Sequence, residues 1–556
     1  MSYQRFADLM ERLRRMTYAD AIAYMVETYP DNEALVFKQQ RFTFRDVKRL
    51  VDRASGRLAT LGLAPGSKVS IWLTNRPEYI WYLIGAAQMG LVPVVLNTRL
   101  RTDEFAYQLR QSDSRAVIVP GDGAFRDFLG ELAELCPALG TAGPAALSSE
   151  ALPEMRHVIA IDSWRRHLPG VTDWTQGLEH DLPVPPYATD PGQPALISYS
   201  SGTTALPKGA MITHCVWRKA WDIGIRVDLT ERDRFYIAIP MFGSMATMNG
   251  FFPYWIRGAG VVLAERFDAE EAMADWQRER CTGTHLLPPM VSALIGHPRR
   301  DRYDISSMRI ALVLSNDPDV LRRVPEVLGI PGMLTGYGLT ESTTALTRNR
   351  WDDPLDVRVR TQGKPLPDVQ IRIIDPQTGV ELPAEQRGEI IVRSYCITPG
   401  YYGKPEDTAR AIRDGWFHTG DQGYLDGEGR LVFQGRIGDG YKTKGFNVSP
   451  AEVEAVVRKH PAAANVSVVG LPDPELGEIG VAFVIAAAGV EATEDDIIEF
   501  TRERLAAFKV PRHVFFVDAL PMTSGTDKVQ KYRLREMAGE RLGVSLQRGW
   551  PANAPR

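Results

Sequence analysis

Hydrophobic positions in the first 190 residues follow two different periods. Residues 44–62 place apolar side chains at helical spacing and end at Gly62, which is typical of a helix that stops at a glycine. Short apolar runs at 68–74 and 115–121 are typical of buried strands. The alternation of strands and helices predicts parallel sheets with helices on both faces.

The same alternation continues through residues 215–345. Residues 234–242 predict a strand, and the loop at 241–250 projects from its end. Open α/β sheets bind ligands beyond the carboxyl ends of their strands, so this loop is a candidate binding segment. Residues 360–435 change to strand-like segments separated by turn residues, which predicts a small barrel or sandwich. The remainder of the chain has a compact α+β pattern.

Composition narrows the class of protein. The 556 residues suit several domains, and a net charge of −4 gives no sign of nucleic-acid binding. The N-terminus lacks an apolar signal core, and the apolar stretch at 82–96 is too short to span a bilayer and predicts a buried helix followed by a buried strand. Four widely spaced cysteines favour neither a zinc site nor a disulfide frame: Cys136, Cys215, Cys281 and Cys396. We therefore expect a cytoplasmic protein without a transmembrane segment.

One stretch carries a strong chemical signal: residues 198–214, SYSSGTTALPKGAMITH. An apolar strand precedes it and residues 210–225 have helical spacing, so a Gly- and hydroxyl-rich turn between strand and helix is expected. Such a turn offers N–H groups and hydroxyls to an anion, and a lysine adds charge. It is not a Walker loop, because Pro207 precedes the lysine; a flexible surface loop is the alternative. The predicted phosphate-binding residues are Ser200, Ser201, Gly202, Thr203, Thr204 and Lys208.

This stretch resembles the phosphate loop of the adenylate-forming superfamily, which includes acyl-CoA synthetases, aryl-CoA ligases, luciferases and the adenylation domains of peptide synthetases. That family usually has the pattern Y-T-S-G-T-T-G-x-P-K-G-x-x-x-T-H. The chain keeps most of these positions: Tyr199, Ser201 to Thr204, Pro207 to Gly209, Thr213 and His214. It departs at Ala205, where alanine disfavours the positive φ that glycine allows and can stiffen or re-aim the loop.

Residues 333–344, MLTGYGLTESTT, resemble the Y-G-x-T-E segment of the same family. The resemblance implies that Tyr337 stacks on adenine and that Thr340 contacts phosphate oxygens. It also implies that Glu341 binds the magnesium ion, since hard cations prefer carboxylate oxygen.

Residues 315–317 depart from the Gly-Gly-Ala-Pro turn against which adenine commonly lies in the family. The chain has Ser315, Asn316 and Asp317 there. An anionic Asp317 directed towards the ATP phosphates would oppose binding. Asn and Asp are also ordinary turn residues, so a structural role is the alternative.

The loop at 241–250 lines the acyl pocket in the family, which usually has His or an aromatic residue where this chain has Gly243 followed by Ser244. A pocket wall without that large side chain predicts a bulky hydrophobic acid. A glycine turn with core methionines is the alternative. The predicted substrate-binding residues are Met241, Phe242, Gly243, Ser244, Met245 and Gly336.

Later segments resemble the ribose site and the hinge of the family. The resemblance assigns Asp421 and Arg436 to the ribose, whose hydroxyls a carboxylate can accept. Gly438 occupies the hinge position. We therefore expect an α/β fold with an N-terminal AMP-binding domain at 1–437, made of two parallel-sheet halves and a small β-barrel, and a small mobile α+β lid domain at 438–556.

The lid domain carries lysines on two predicted faces. Lys442, Lys444 and Gly445 resemble the face that serves the thiol step, with Lys442 as a catalytic candidate. Lys528 falls on the catalytic lysine of the family, which stabilises charge developing at the α-phosphate. Asp527 precedes it in place of glycine and can compete for its charge.

Together these motifs imply an AMP-forming acyl-CoA synthetase, an acid–thiol ligase that uses ATP or acyl-AMP, Mg²⁺ and coenzyme A. A bulky hydrophobic carboxylic acid would form acyl-AMP and then an acyl-CoA thioester. One alternative is a ligase that adenylates poorly and uses acyl-adenylate from a partner enzyme. Another is a non-enzymatic relative, which the retained Lys528, Glu341, Asp421 and Arg436 disfavour. The sequence leaves a homodimer open.

Overall fold

The computed structural model describes most of the chain: residues 3–100, 102–144, 147–162, 167–185, 187, 189–200, 207–437, 440–443, 446–448, 450–473, 476–523 and 529–544. The chain divides into two compact units. The first unit contains residues 1–200, 207–370 and 393–413, and the second contains 201–206, 371–392 and 414–556. The expected domain boundary at Gly438 lies outside the described residues and stays a prediction.

The helices are α1 Tyr3–Arg14, α2 Tyr18–Thr28, α3 Phe44–Ala59, α4 Pro77–Gln88, α5 Thr102–Gln111, α6 Phe128–Leu135, α7 Val216–Arg226, α8 Ser244–Ala246, α9 Phe252–Ile256, α10 Ala269–Glu279, α11 Pro288–Gly296, α12 Pro318–Glu326, α13 Leu355–Arg360, α14 Pro405–Ala411, α15 Pro450–Val457, α16 Glu494–Arg502 and α17 Lys531–Leu542. Within the described ranges, no helix combines the length and apolarity needed to cross a membrane.

The strands are β1 Glu33–Phe37, β2 Gln40–Thr43, β3 Lys68–Ile71, β4 Val92–Val95, β5 Ser114–Val119, β6 His157–Ala160, β7 Val171–Asp173, β8 Pro194–Ser200, β9 Lys208–Thr213, β10 Arg234–Ile237, β11 Gly260–Leu263, β12 Gly283–Leu286, β13 Ile310–Val313, β14 Gly332–Leu334, β15 Gly336–Leu339, β16 Thr344–Arg348, β17 Lys364–Pro365, β18 Val369–Ile374, β19 Gly388–Ser394, β20 Ile412–Arg413, β21 Trp416–Leu425, β22 Leu431–Arg436, β23 Tyr441–Thr443, β24 Phe446–Val448, β25 Ala463–Asp473, β26 Gly477–Ala486 and β27 His513–Phe516.

Two seven-stranded sheets form the centre of the first unit. One has the order β7-β6-β5-β3-β4-β8-β9, and the other has the order β14-β13-β12-β10-β11-β1-β2. Their pairs are parallel except for the edge hairpins β8–β9 and β1–β2. The apolar stretch at 82–96 supplies the buried end of α4 and the four buried residues of β4. The predicted α/β fold with two parallel-sheet halves is confirmed.

The segment after the phosphate loop is a strand, which corrects the expectation of a helix over 210–225. Residues Lys208–Thr213 form β9, antiparallel to β8, and α7 begins only at Val216. A distant segment completes the pairing, because the Tyr402 N–H donates to the Gly209 carbonyl at 2.8 Å. The phosphate loop therefore joins two antiparallel strands, and its anion site does not begin a helix.

The second unit contains the hairpins and the compact α+β end of the chain that the sequence predicts. Strand β21 pairs antiparallel with β19 and β22. A separate sheet has the order β24-β23-β26-β25, and β27 pairs parallel with β26. Helix α15 begins at Pro450, a residue type favoured at the first position of a helix.

Candidate active site

Lys208 begins β9, and neighbouring side chains hold its ammonium group. The Lys208 Nζ lies 2.8 Å from the Asp407 carboxylate and 5.2 Å from the centre of the Tyr401 ring. Ser200 ends β8 and pairs with Lys208 across the hairpin. The other predicted phosphate-binding residues, Ser201, Gly202, Thr203 and Thr204, lie outside the described residues, as does Ala205. The structure thus fixes both ends of the phosphate loop.

Glu341 lies in a short 3₁₀ turn, Thr340–Ser342, with a nearly buried carboxylate that is 8% exposed. The Tyr401 hydroxyl donates to its Oε1 at 3.0 Å, and the Thr398 N–H donates to its main-chain carbonyl at 2.6 Å. The Tyr401 bond orients the carboxylate, and no ion pair between described residues includes Glu341. Among the described residues, no group of three His, Cys, Asp or Glu side chains could hold a metal alone. A carboxylate oxygen is a ligand that magnesium prefers, so the Glu341 side chain fits the role that the sequence predicts for it.

Tyr401 contacts both Lys208 and Glu341. Its ring lies against the Lys208 ammonium, and its hydroxyl binds Glu341. Neither Tyr401 nor Asp407 was predicted from the sequence, because both follow the recognised motifs by many residues. The structure therefore brings the predicted Lys208 and Glu341 to one place in the first unit and adds the side chains that position them.

The predicted adenine and acyl segments meet at the hairpin β15–β16. Tyr337 is buried, and its N–H donates to the Thr347 hydroxyl at 3.2 Å. Gly336 is exposed and pairs with Arg348 across the hairpin. A side chain at Gly338 is excluded, because its Cβ would lie 1.6 Å from the Thr344 carbonyl. The glycines that flank Tyr337 are thus required by close approach of the two strands.

The predicted acyl segment divides into buried and half-buried residues. Met241 is in the core, and its N–H donates to Asn75 Oδ1 at 2.8 Å. Phe242, Ser244 and Met245 are half-buried. No sequence pattern indicated Asn75, because its hydrogen-bond partners are distant in the chain.

Gly243 has few atoms close to the position that a side chain would occupy. Among the described residues, a Cβ there would have one neighbour within 4 Å, the Pro240 carbonyl at 3.3 Å. The chain then forms α8 and a π-helix at Thr247–Phe251, a form of helix that is rare and frequent at functional sites. Open space beside Gly243 is what a pocket for a large acid requires.

Asp317 caps helix α12. Its carboxylate accepts from the Asp319 N–H at 2.9 Å, and its own N–H donates to the Ser315 hydroxyl at 3.0 Å. Asn316 accepts a bond from Gln362. These are contacts of a turn that begins a helix, and they support the structural alternative for residues 315–317.

Asp317→Ala is expected to lower the free energy of unfolding by about 1 kcal/mol, because an N-cap acceptor is lost, and to leave ATP-dependent activation no higher. Asp319→Ala, in the first turn of the same helix, serves as the control and should cost less. Chemical denaturation and ATP–pyrophosphate exchange measure the two effects. An increase in exchange for Asp317→Ala would restore the idea that this carboxylate opposes nucleotide binding.

In the second unit, Asp421 and Arg436 are cross-strand partners on β21 and β22. The Arg436 Nε lies 2.9 Å from Asp421 Oδ1, and the Asp421 side chain is almost buried. The Asp421 N–H also donates to the Thr419 hydroxyl at 3.0 Å. The structure thus joins the two residues predicted to bind the ribose.

The predicted lysine faces are mostly outside the described part of the chain. Gly438, Lys444, Gly445 and Lys528 lie outside the described residues, and Lys442 lies in β23. Their roles stay predictions.

His214 ends the phosphate-loop stretch and has a structural partner. Burial lowers the pKa of His214 to about 4. Its Nδ1 accepts from the Tyr18 N–H at 3.1 Å. A neutral imidazole suits this acceptor role at pH 7, and it ties the start of α2 to the end of β9.

This fold is that of an adenylate-forming enzyme. The chain belongs to the AMP-binding enzyme family, whose model matches residues 22–402, and the model of the AMP-binding enzyme C-terminal domain matches residues 452–525. It is accordingly an AMP-forming acid–thiol ligase that uses ATP, Mg²⁺ and coenzyme A.

Three similar proteins illustrate the relationship. The mitochondrial medium-chain acyl-CoA ligase ACSF2 of Danio rerio is 30% identical over 556 residues, covering 96% of this chain and 90% of that protein. A Rhodococcus jostii RHA1 propanoyl:CoA ligase, named for a methyl-dioxo-octahydroindenyl acyl group, is 33% identical over 513 residues, covering 89% and 94%. The crystal structure of the anthranilate CoA ligase AuaEII with anthranoyl-AMP aligns with a TM-score of 0.82 at 25% identity, covering 95% and 98%.

Proposed function

We propose that the chain is a complete acyl-CoA ligase for a bulky hydrophobic carboxylic acid. The observation that carries the choice of acid is Gly243, where a side chain would have a single close neighbour. The fused-ring acyl group in the name of the Rhodococcus relative supports the same class.

The first half-reaction joins the acid to AMP. A carboxylate oxygen attacks the α-phosphorus of ATP, the bond to the β-phosphate oxygen breaks, and pyrophosphate leaves. Lys208 and the phosphate loop hold the phosphates, and Glu341 would hold a magnesium ion, which would neutralise phosphate charge. Lys528 stabilises the charge that develops between carboxylate and α-phosphate.

The second half-reaction transfers the acyl group. The thiolate of coenzyme A attacks the acyl carbon, the bond to the phosphate oxygen of AMP breaks, and AMP leaves with the electron pair. Lys442, Lys444 and Gly445 serve this step, after rotation of residues 438–556 about Gly438. Positioning and electrostatics carry both steps, with no covalent enzyme intermediate.

The alternative function is catalysis of the thiol step alone, with acyl-adenylate supplied by a partner enzyme. Four departures from the family pattern favour it: Ala205, the turn at Ser315, Asn316 and Asp317, Asp527 and Gly438. The cap that the Asp317 carboxylate forms on α12 gives the third of these residues a structural role, which supports the complete ligase. A homodimer is compatible with either activity, because Lys208, Tyr401 and Glu341 meet within one chain.

Gly243→His tests the choice of acid. An imidazole at this position is expected to reduce kcat/KM for cyclohexylpropanoate by about 10- to 100-fold through overlap with the ring, the effect of about 1–3 kcal/mol of overpacking. Acetate should be affected less. Gly296→His is the control, because that glycine ends α11 with open space around it. Thioester formation measures all three proteins, and a wild type that prefers acetate or propionate would contradict the proposal.

A further inference from the structure

Arg348, at the end of β16, is a buried cation with an incomplete set of partners. Its side chain is about 3% exposed. One terminal nitrogen, Nη2, donates to Asn249 Oδ1. Its Nε has no hydrogen-bond partner among the described residues, and none of the ion pairs between those residues includes Arg348. Burial, and then the charge of Arg226, lowers the pKa of Arg348 to about 10, so the guanidinium stays protonated at pH 7.

Arg358, another buried arginine in the same unit, has more hydrogen-bond partners than Arg348. Arg358 donates to the carbonyls of Pro331, Met333 and Asp353, each at 2.8 Å. A buried donor without an acceptor costs stability, and a buried charge costs more. Arg348 therefore has a donor, Nε, that can still bind an acceptor, whereas Arg358 donates to three main-chain carbonyls.

Arg348 lies close to residues that are predicted to bind the acyl group. Gly336, its exposed cross-strand partner, would place a Cβ 3.0 Å from the Arg348 Nε. On its other side, Asn249 lies in the π-helix and contacts the sulfur of Met245 through Nδ2 at 3.0 Å. Arg348 thus lies between Gly336 and Met245, two residues predicted to contact the acyl group.

His285 adds a second polar group beside Arg348. Burial, and then the charge of Arg348, lowers the pKa of His285 to about 3, so the imidazole is neutral. Its Nδ1 has no hydrogen-bond partner among the described side chains and main chain. A Cβ at Gly250, next to Asn249, would lie 3.0 Å from the His285 ring. Arg348 and His285 thus both contact the π-helix, Arg348 through Asn249 and His285 beside Gly250.

We propose that Arg348 and Asn249 form a polar subsite in the acyl pocket, which binds a second acceptor oxygen of the substrate, remote from the reacting carboxylate. The oxygen belongs to a ketone or to a second carboxylate, since both accept from a guanidinium. This inference rests on the proposed function and specifies its substrate class: a bulky acid with an oxygen function at its far end. A site built to bond such an oxygen discriminates strongly against the analogue that lacks it.

The test compares three acids of similar shape with the wild-type enzyme: cyclohexylpropanoate, and its derivatives with a ketone or a carboxylate on the ring carbon opposite the chain. We expect kcat/KM for at least one oxygenated acid to exceed that for the plain acid by about 10-fold or more. The derivative with the larger ratio identifies the oxygen. Equal or lower values for both derivatives would overturn the subsite and leave the ligase intact. Failure to form thioester from any acid would overturn the proposed function as well.

Substitutions test whether Arg348 and Asn249 cause the preference for an oxygenated acid. Arg348→Met should reduce the ratio of oxygenated to plain acid by about 10- to 100-fold. Asn249→Asp places an internal anion against the guanidinium and should also reduce the ratio, which keeps the test available if Arg348→Met does not fold. Arg358→Met is the matched control: it removes a buried arginine that is bonded to main-chain carbonyls, so it should lower the melting temperature and keep the ratio. An unchanged ratio in a folded Arg348→Met or Asn249→Asp protein would overturn the assignment.

Discussion

Replacing Lys528 with alanine is expected to reduce ATP-dependent activation of the acid by at least about 100-fold and to leave thioester formation from synthetic acyl-AMP and coenzyme A largely intact. The reason is electrostatic. A fixed cation at the α-phosphate stabilises charge that develops only during adenylation, and removal of one such donor typically costs about 10²–10³ in rate. ATP–pyrophosphate exchange reports the first half-reaction, and thioester formation from acyl-AMP reports the second.

Lys531 provides a matched control for Lys528. It begins α17, and its Nζ lies 2.9 Å from Glu454 within the second unit. Lys531→Ala should therefore cost a little stability and leave exchange nearly unchanged. Loss of both half-reactions in a folded Lys528→Ala protein would overturn the proposed division of labour between Lys528 and the Lys442 face.

Glu341→Gln is expected to reduce pyrophosphate exchange by about 100-fold and to raise the magnesium concentration needed for half-maximal rate. The amide keeps the shape of the side chain and can still accept from the Tyr401 hydroxyl, but it lacks the charge that a hard cation prefers. A magnesium titration of the exchange reaction measures the change directly.

Tyr401→Phe tests the orientation of the Glu341 carboxylate without changing its charge. It removes the 3.0 Å hydrogen bond to Glu341 and keeps both the carboxylate and the ring beside Lys208. The cost should be about 10-fold, at the lower end of the value of one hydrogen bond to a charged group. A Glu341→Gln protein with the magnesium dependence of the wild type would show that the ion is held elsewhere.

The sequence predicts the parallel sheets well, because long apolar runs and helical periods are local signals. It fails at β9, where residues 210–213 have apolar positions compatible with a helix. The strand forms because β8 and Tyr402 supply main-chain partners. Such partners are distant in the chain and leave no trace in the local period.

The candidate site shows the same limit. The motifs identify Lys208 and Glu341, but the residues that position them are 199 positions away for Asp407 and 60 positions away for Tyr401. Arg348 follows a recognised motif closely, yet its burial is visible only in the fold. Conversely, Asp317 suggested an obstacle to ATP from its charge alone, and its hydrogen bonds show an ordinary helix cap.

The central claim is that this one chain carries out both half-reactions on a bulky acid, and acid-dependent ATP–pyrophosphate exchange without coenzyme A tests it most directly. We predict exchange with magnesium and a cyclic acid, and equal amounts of AMP and acyl-CoA once coenzyme A is added. Thioester formation from synthetic acyl-AMP with no exchange for any bulky acid would contradict the claim and identify an enzyme confined to the thiol step.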